Sequence, residues 1–168
     1  MKKCDERLSD EAMLLNQYLN QYRQCIGKKK TLEHRRDEIK REFDNPLKAV
    51  TYSEMPKSHS AEPVGCAALS YRLDEINTRI DEQAEKSAKV LLEIMDVIEF
   101  LPENSTERSI IEHRYIDRYS WEKVCRIEHI SRTPATRYWR EGLYKLLEFK
   151  KVQKILHDYE KQLNMVEV

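Results

Sequence analysis

The chain has 168 residues, which fits one domain or a small domain with an extended arm and excludes a large multidomain enzyme. Thirty Lys and Arg residues balance thirty Asp and Glu, so the summed charge announces no polyanionic partner and any charge argument must be local. Three glycines and five prolines, against a usual share of roughly 12% for the pair, together with 36% charged residues, predict an all-α chain without sheet.

The opening Met1-Lys2-Lys3-Cys4-Asp5-Glu6 has no apolar signal core after it. The longest run free of charge, Ala12 to Tyr22, falls well short of the ~20 apolar residues that cross a bilayer, so a cytoplasmic protein is expected. Cys4, Cys25, Cys66 and Cys125 are far apart, with no paired spacing and no histidine at zinc-finger distance, which predicts reduced thiols and no metal.

Apolar residues at Leu8, Ala12, Leu15, Leu19, Tyr22 and Ile26 alternate steps of four and three, the spacing of a helical seam. The phase slips and resumes at Leu32, Arg36, Ile39 and Phe43, predicting one long helix to about Phe43 that Asn45-Pro46 ends. A proline-rich, aperiodic loop is expected over 45–65. The next seam runs Leu69, Leu73, Ile76, Ile80, Gln83, Ser87, Val90, Ile94, Val97 and Leu101, and Pro102 breaks it. These two stretches predict a helical hairpin or coiled-coil arm over 1–101, with polar Gln83 and Ser87 placed to fix its register.

From 102 to 168 the pattern predicts a separate domain of short helices. Asn104 or Ser105 caps a helix that begins near Thr106, Ser120 caps Trp121 to Arg126, and Ser131 caps a third helix with Pro134 in its first turn. That last helix is expected to continue without a break past Leu143, Leu146 and Leu147 to Val166.

The stretch Ser120 to Arg140 has the layout of a helix-turn-helix. Val124 and Ile130 turn inward, small Cys125 allows close approach, and Ala135 and Tyr138 line the inner face of the second helix. Arg132, Thr133, Thr136, Arg137 and Arg140 then project outward, as a helix reading the major groove requires, and Ser131 leaves a helix N-terminus able to hold phosphate. Between Ser131 and Lys154 seven basic residues, Lys145 among them, face two acidic ones. Four or five phosphate contacts on such a face imply a slope of log affinity against log salt of roughly −4. The basic runs Lys28-Lys29-Lys30 and Arg35-Arg36 read better as a solvated helix face than as a second DNA patch, given Glu33, Asp37 and Glu38 beside them. Trp121, and by a smaller margin Trp139, read as core.

The runs Glu107-Arg108-Ser109-Ile110-Ile111-Glu112-His113-Arg114-Tyr115-Ile116-Asp117, Ser120-Trp121-Glu122-Lys123-Val124, Ile130-Ser131-Arg132-Thr133 and Gly142-Leu143-Tyr144-Lys145-Leu146 resemble region 4 of bacterial sigma-70-type factors. With the long first helix, the Tyr52-Ser53-Glu54-Met55-Pro56 loop and the Arg72-Leu73-Asp74-Glu75-Ile76 helix before them, the chain is similar to phage and prophage late-transcription regulators of the ArpU/RinA-like group. Sigma-type modules usually carry glycine where this chain has Arg118 and His129. The resemblance implies a sequence-specific activator of phage late genes that binds promoter DNA in the bacterial host cell and works with host RNA polymerase. No basic cluster of aromatics for promoter melting precedes Pro102, so a duplex-binding activator is expected and not a self-sufficient sigma factor. A homodimer is the expected state, since two-fold pairing matches a palindromic site. A small terminase subunit for DNA packaging and a coiled-coil adaptor without DNA affinity are the competing readings.

Catalysis has little support. Gly27, Gly65 and Gly142 cannot build a phosphate-cradling loop, and His34, His59, His113, His129 and His157 have no metal-ligand spacing. Neither enzymatic activity nor a cofactor is expected.

Overall fold

The computed structural model describes residues 8–44 and 66–166, and every regular element among them is an α-helix. In chain order these are α1 (Asp10–Leu19), α2 (Gln21–Asp44), α3 (Cys66–Ile98), α4 (Thr106–Tyr115), α5 (Trp121–Ile127), α6 (Arg132–Leu147) and α7 (Lys150–Val166). The loop expected at 45–65, with Tyr52 to Pro56, lies outside the described residues. No described helix is long and apolar enough to cross a membrane.

Local chemistry sets most of the helix starts. Ser9, Ser105 and Ser120 each accept a hydrogen bond from the amide three residues on, at Ala12, Arg108 and Lys123, all at 3.3 Å. Each bond satisfies one of the donors that a helix N-terminus leaves without a partner. Acidic residues follow in the first turn, Asp10 and Glu11 in α1, Glu107 in α4 and Glu122 in α5, where the helix dipole favours them.

Two expected helices are interrupted. The first breaks at Asn20, whose side-chain amide donates to the Asn16 carbonyl at 2.8 Å and to Asn16 Oδ1 at 2.9 Å. The Asn20 backbone amide shares the Asn16 carbonyl at 3.1 Å, and α2 starts one residue later. The last breaks at Glu148 and Phe149, whose amides fall back on the third carbonyl before them, at Lys145 and Leu146. Phe149 turns there onto Phe100, with ring centroids 5.1 Å apart, and Gln153 Nε2 takes the released Leu147 carbonyl at 2.8 Å. The break carries Val152 and Leu156 of α7 into the core.

The chain divides into two compact units, Met1–Gln24 with Ala88–Val168, and Cys25–Ser87. This differs from the expected boundary between 101 and 102, because apolar burial gathers both α1 and the end of α3 with the later helices. In the first unit Ala12, Leu15 and Leu19 of α1 and Ile94, Val97 and Ile98 of α3 share one core with Ile111 and Tyr115 of α4, Leu143 and Leu146 of α6, and Val152 of α7. Several of these side chains are fully buried, each contributing about 1.5–3 kcal/mol relative to exposure. Gly142 permits a close approach to α4: a Cβ there would stand 2.6 Å from Ile111 Cδ1 and 3.2 Å from Glu107 Cβ.

In the second unit Cys25, Ile76, Ile80 and Ser87 are buried among the described residues. The two polar seam positions are bonded, Gln83 Nε2 donating to the Cys25 carbonyl at 3.3 Å and Ser87 Oγ to the Gln83 carbonyl at 2.7 Å. Leu32, Arg36 and Ile39 lie half-buried, in the expected stripe. Lys29 pairs with Glu33 at 3.7 Å and Arg36 with Asp37 at 3.0 Å.

Candidate nucleic-acid interface

Helices α4, α5 and α6 pack on one another, with Ile110, Val124 and Ala135 fully buried. Both connections between them turn through a left-handed residue. Arg118 has φ 59 and His129 φ 53, the only non-glycine positive values among the described residues. At the end of α5 the Ile130 amide bonds to the Cys125 carbonyl at 3.1 Å, spanning His129 in the geometry that usually employs glycine. Polar contacts brace the turn. The Ser109 hydroxyl donates to Glu128, His113 Nδ1 lies 2.7 Å from Asp117 Oδ2, and His113 Nε2 lies 3.4 Å from Glu128 Oε1.

The expected contact residues divide around α6. At about 100° per residue, Thr133, Thr136, Arg137 and Arg140 fall within an arc of roughly 100°. Buried Ala135, Gly142 and Leu146 occupy the other side, but buried Leu143 borders the arc beside Thr136 and buried Leu147 falls within it, one helical turn or more beyond Arg140. Thr133 and Arg137 are exposed, while Thr136 at one edge of the arc and Arg140 near its middle are half-buried. Arg137 Nε lies 3.5 Å from Glu141, an exposed pair of the kind that contributes about 0.3–0.5 kcal/mol, so a phosphate can take its place cheaply. Thr136 Oγ1 bonds back to the Arg132 carbonyl at 2.9 Å. Arg140 is less free than expected: its Nε is buried and has no partner among the described residues. Tyr144, which the sequence reading left out, lies exposed in the middle of the arc.

Lys145 stands apart, about 80° beyond Arg137. Its ammonium bonds to Glu107 of α4 at 2.7 Å. That hydrogen bond holds the Glu107 carboxyl below its ordinary value and raises the Lys145 ammonium above its own.

Ser131 occupies the N-cap position of α6 but makes no capping bond, contrary to expectation. The three other serines bond the amide three residues on, and here that residue is Pro134, which has no N–H. The Ser131 hydroxyl is left exposed beside Arg132 and Thr133 at the start of the arc.

Neither tryptophan is fully buried. Trp139 is half-buried against the core, donating from Nε1 to the Tyr115 hydroxyl at 2.9 Å, which in turn donates to Asn16 Oδ1 at 2.7 Å. Burial pushes the Tyr115 phenol up to about 12, so it remains a donor. Trp121 is half-exposed, edge-on to Trp139 at 5.8 Å, and carries two guanidinium groups, Arg114 at 4.6 Å and Arg132 at 4.3 Å from its ring centre. Nothing in the local spacing of Arg114 and Trp121 announced this contact.

No family model matches the chain, and neither does any curated protein or solved structure.

Proposed function

We propose that this chain is a sequence-specific transcription regulator that binds duplex DNA, with α5 and α6 acting as a helix-turn-helix and α6 as its recognition helix. Thr133, Thr136, Arg137 and Arg140 face base edges in the major groove, while Arg132 and the uncapped hydroxyl of Ser131 take backbone phosphates. Lys145, held by Glu107, reaches a phosphate only at the edge of the contact. The resemblance to ArpU/RinA-like regulators extends the proposal to a phage activator of late genes, acting as a homodimer with host RNA polymerase.

One observation carries this reading: the two positions at which sigma region 4 usually has glycine, Arg118 and His129, take the left-handed backbone here. A residue other than glycine is strained in that conformation, so the turn geometry is kept at a cost, as a required turn would be.

Fluorescence anisotropy with duplexes from the parent genome tests it. The full chain is expected to bind with a salt slope near −4, and Arg137→Ala or Arg140→Ala to weaken the preferred site by about 1–3 kcal/mol, relaxing specificity as well. Unchanged affinity in both variants removes α6 as the reading element.

A further inference from the structure

Among the described residues Arg36, Arg79, Arg108 and Arg137 pair with carboxylates, while Arg35, Arg41, Arg72, Arg126 and Arg140 form no ion pair. In the first unit several further unpaired arginines are gathered in one place. Arg23 Nη2 donates to the Arg118 carbonyl at 3.3 Å, and Arg114 Nη1 donates to the carbonyl of the next residue, Tyr119, at 2.6 Å. Those adjacent carbonyls draw the two guanidinium groups together. Trp121 then joins Arg114 to Arg132, and Arg118 lies 5.7 Å from the ring centre of Tyr22. No carboxylate among the described residues forms an ion pair with Arg23, Arg114, Arg118 or Arg132.

Like charges gathered this way repel, and with thirty Asp and Glu in the chain an acidic neighbour was no rarity. The charge of Arg114 is disfavoured first by burial and then by Arg23 and Arg132. Aromatic faces and backbone carbonyls hold the group in place without neutralising it. Each guanidinium has five N–H donors, of which Arg23 and Arg114 spend one apiece on a carbonyl, leaving forked pairs for a bidentate oxyanion.

We infer that Arg23, Arg114 and Arg132 together clamp a backbone phosphodiester of bound duplex DNA, so that the contact extends from α6 across α4 to the start of α2. A strand of DNA fits this place better than a small free anion. The cations are spread over three helices, Arg23 and Arg132 are exposed, and Arg132 is the residue before Thr133, so the clamp continues the arc at the N-terminal end of α6. Trp121 positions the pair that flanks it.

This inference rests on the DNA-binding reading, and the same titration separates the two. A labelled mixed-sequence duplex is titrated with the full chain over a range of salt, for wild type, Arg23→Gln, Arg114→Gln and Arg137→Ala. Weakening of the one clamped phosphate contact is expected to flatten the slope, by at most about 0.9, in each of the first two variants and to lower affinity several-fold at low salt. Arg23→Gln, on an exposed side chain, gives the result even where Arg114→Gln disturbs folding by circular dichroism. Wild-type slopes in both glutamine variants, with binding still sensitive to Arg137→Ala, overturn the clamp and leave the recognition helix standing. If wild type binds no duplex, both readings fall; a tryptophan fluorescence response to inorganic phosphate would then assign the arginines to a free anion instead.

Discussion

Four serines stand at helix starts, and one residue three positions further on decides what each can do. Ser9, Ser105 and Ser120 meet an amide there, whereas Ser131 meets Pro134. Replacing either of the caps Ser105 and Ser120 by Ala is expected to lower stability by about 1 kcal/mol in urea unfolding. Ser131→Ala loses no such bond, so its unfolding midpoint should match wild type while its duplex affinity falls; a loss as large as at Ser120 would contradict the uncapped geometry. The starts at Thr106 and Trp121 were legible in the sequence because capping is local. The free hydroxyl of Ser131 was legible too, had Pro134 been counted as the missing donor instead of a harmless first-turn residue.

Between elements, long-range side chains overrule the local pattern. The heptad-like spacing named Ile94 and Val97, buried because a helix with a continuous stripe buries it wherever it packs, and Leu101, buried although it lies past the end of α3. Neither break was legible: nothing in the seam's spacing marks Asn20, and the break at Phe149 turns that ring onto Phe100, far away in sequence. Two of the arginines proposed to clamp DNA, Arg23 and Arg114, donate to adjacent carbonyls 95 and 5 residues away, which no spacing rule finds. Contact between α4 and α6 adds a titrating link, Glu107 to Lys145. The carboxyl is lowered from an ordinary 4.5, so its stabilising effect is full above that value and is lost as pH falls through the lowered one. Lys145, raised from 10.5, adds its part below that value and loses it as pH rises further. Urea midpoints should therefore show Glu107→Gln less stable than wild type at neutral pH, with the gap closing in acid below the ordinary carboxylate range. A gap that persists in acid would assign the effect to packing against Gly142.

At the scale of the whole molecule, burial is unequal between the two units. The first closes a core with many side chains at or near zero exposure, while the described part of Cys25–Ser87 buries Cys25, Ile76, Ile80 and Ser87 at 4–8% exposure, with Leu32, Ile39, Leu69 and Leu73 half-open. Local opening costs less where fewer apolar contacts must be broken, so amides in Cys25–Ser87 are expected to exchange with deuterium well before those of α4, α6 and the end of α3. The homodimer proposal sharpens this. A half-open apolar stripe gains most from a second copy, and its protection is then a mass-action quantity that rises with protein concentration. Exchange measured across a micromolar dilution series should show protection in Cys25–Ser87 falling in step with the mass seen by light scattering, while the first unit's core stays constant. Protection there that ignores dilution would mean the stripe closes within one chain, and the two-fold pairing on DNA would need another surface.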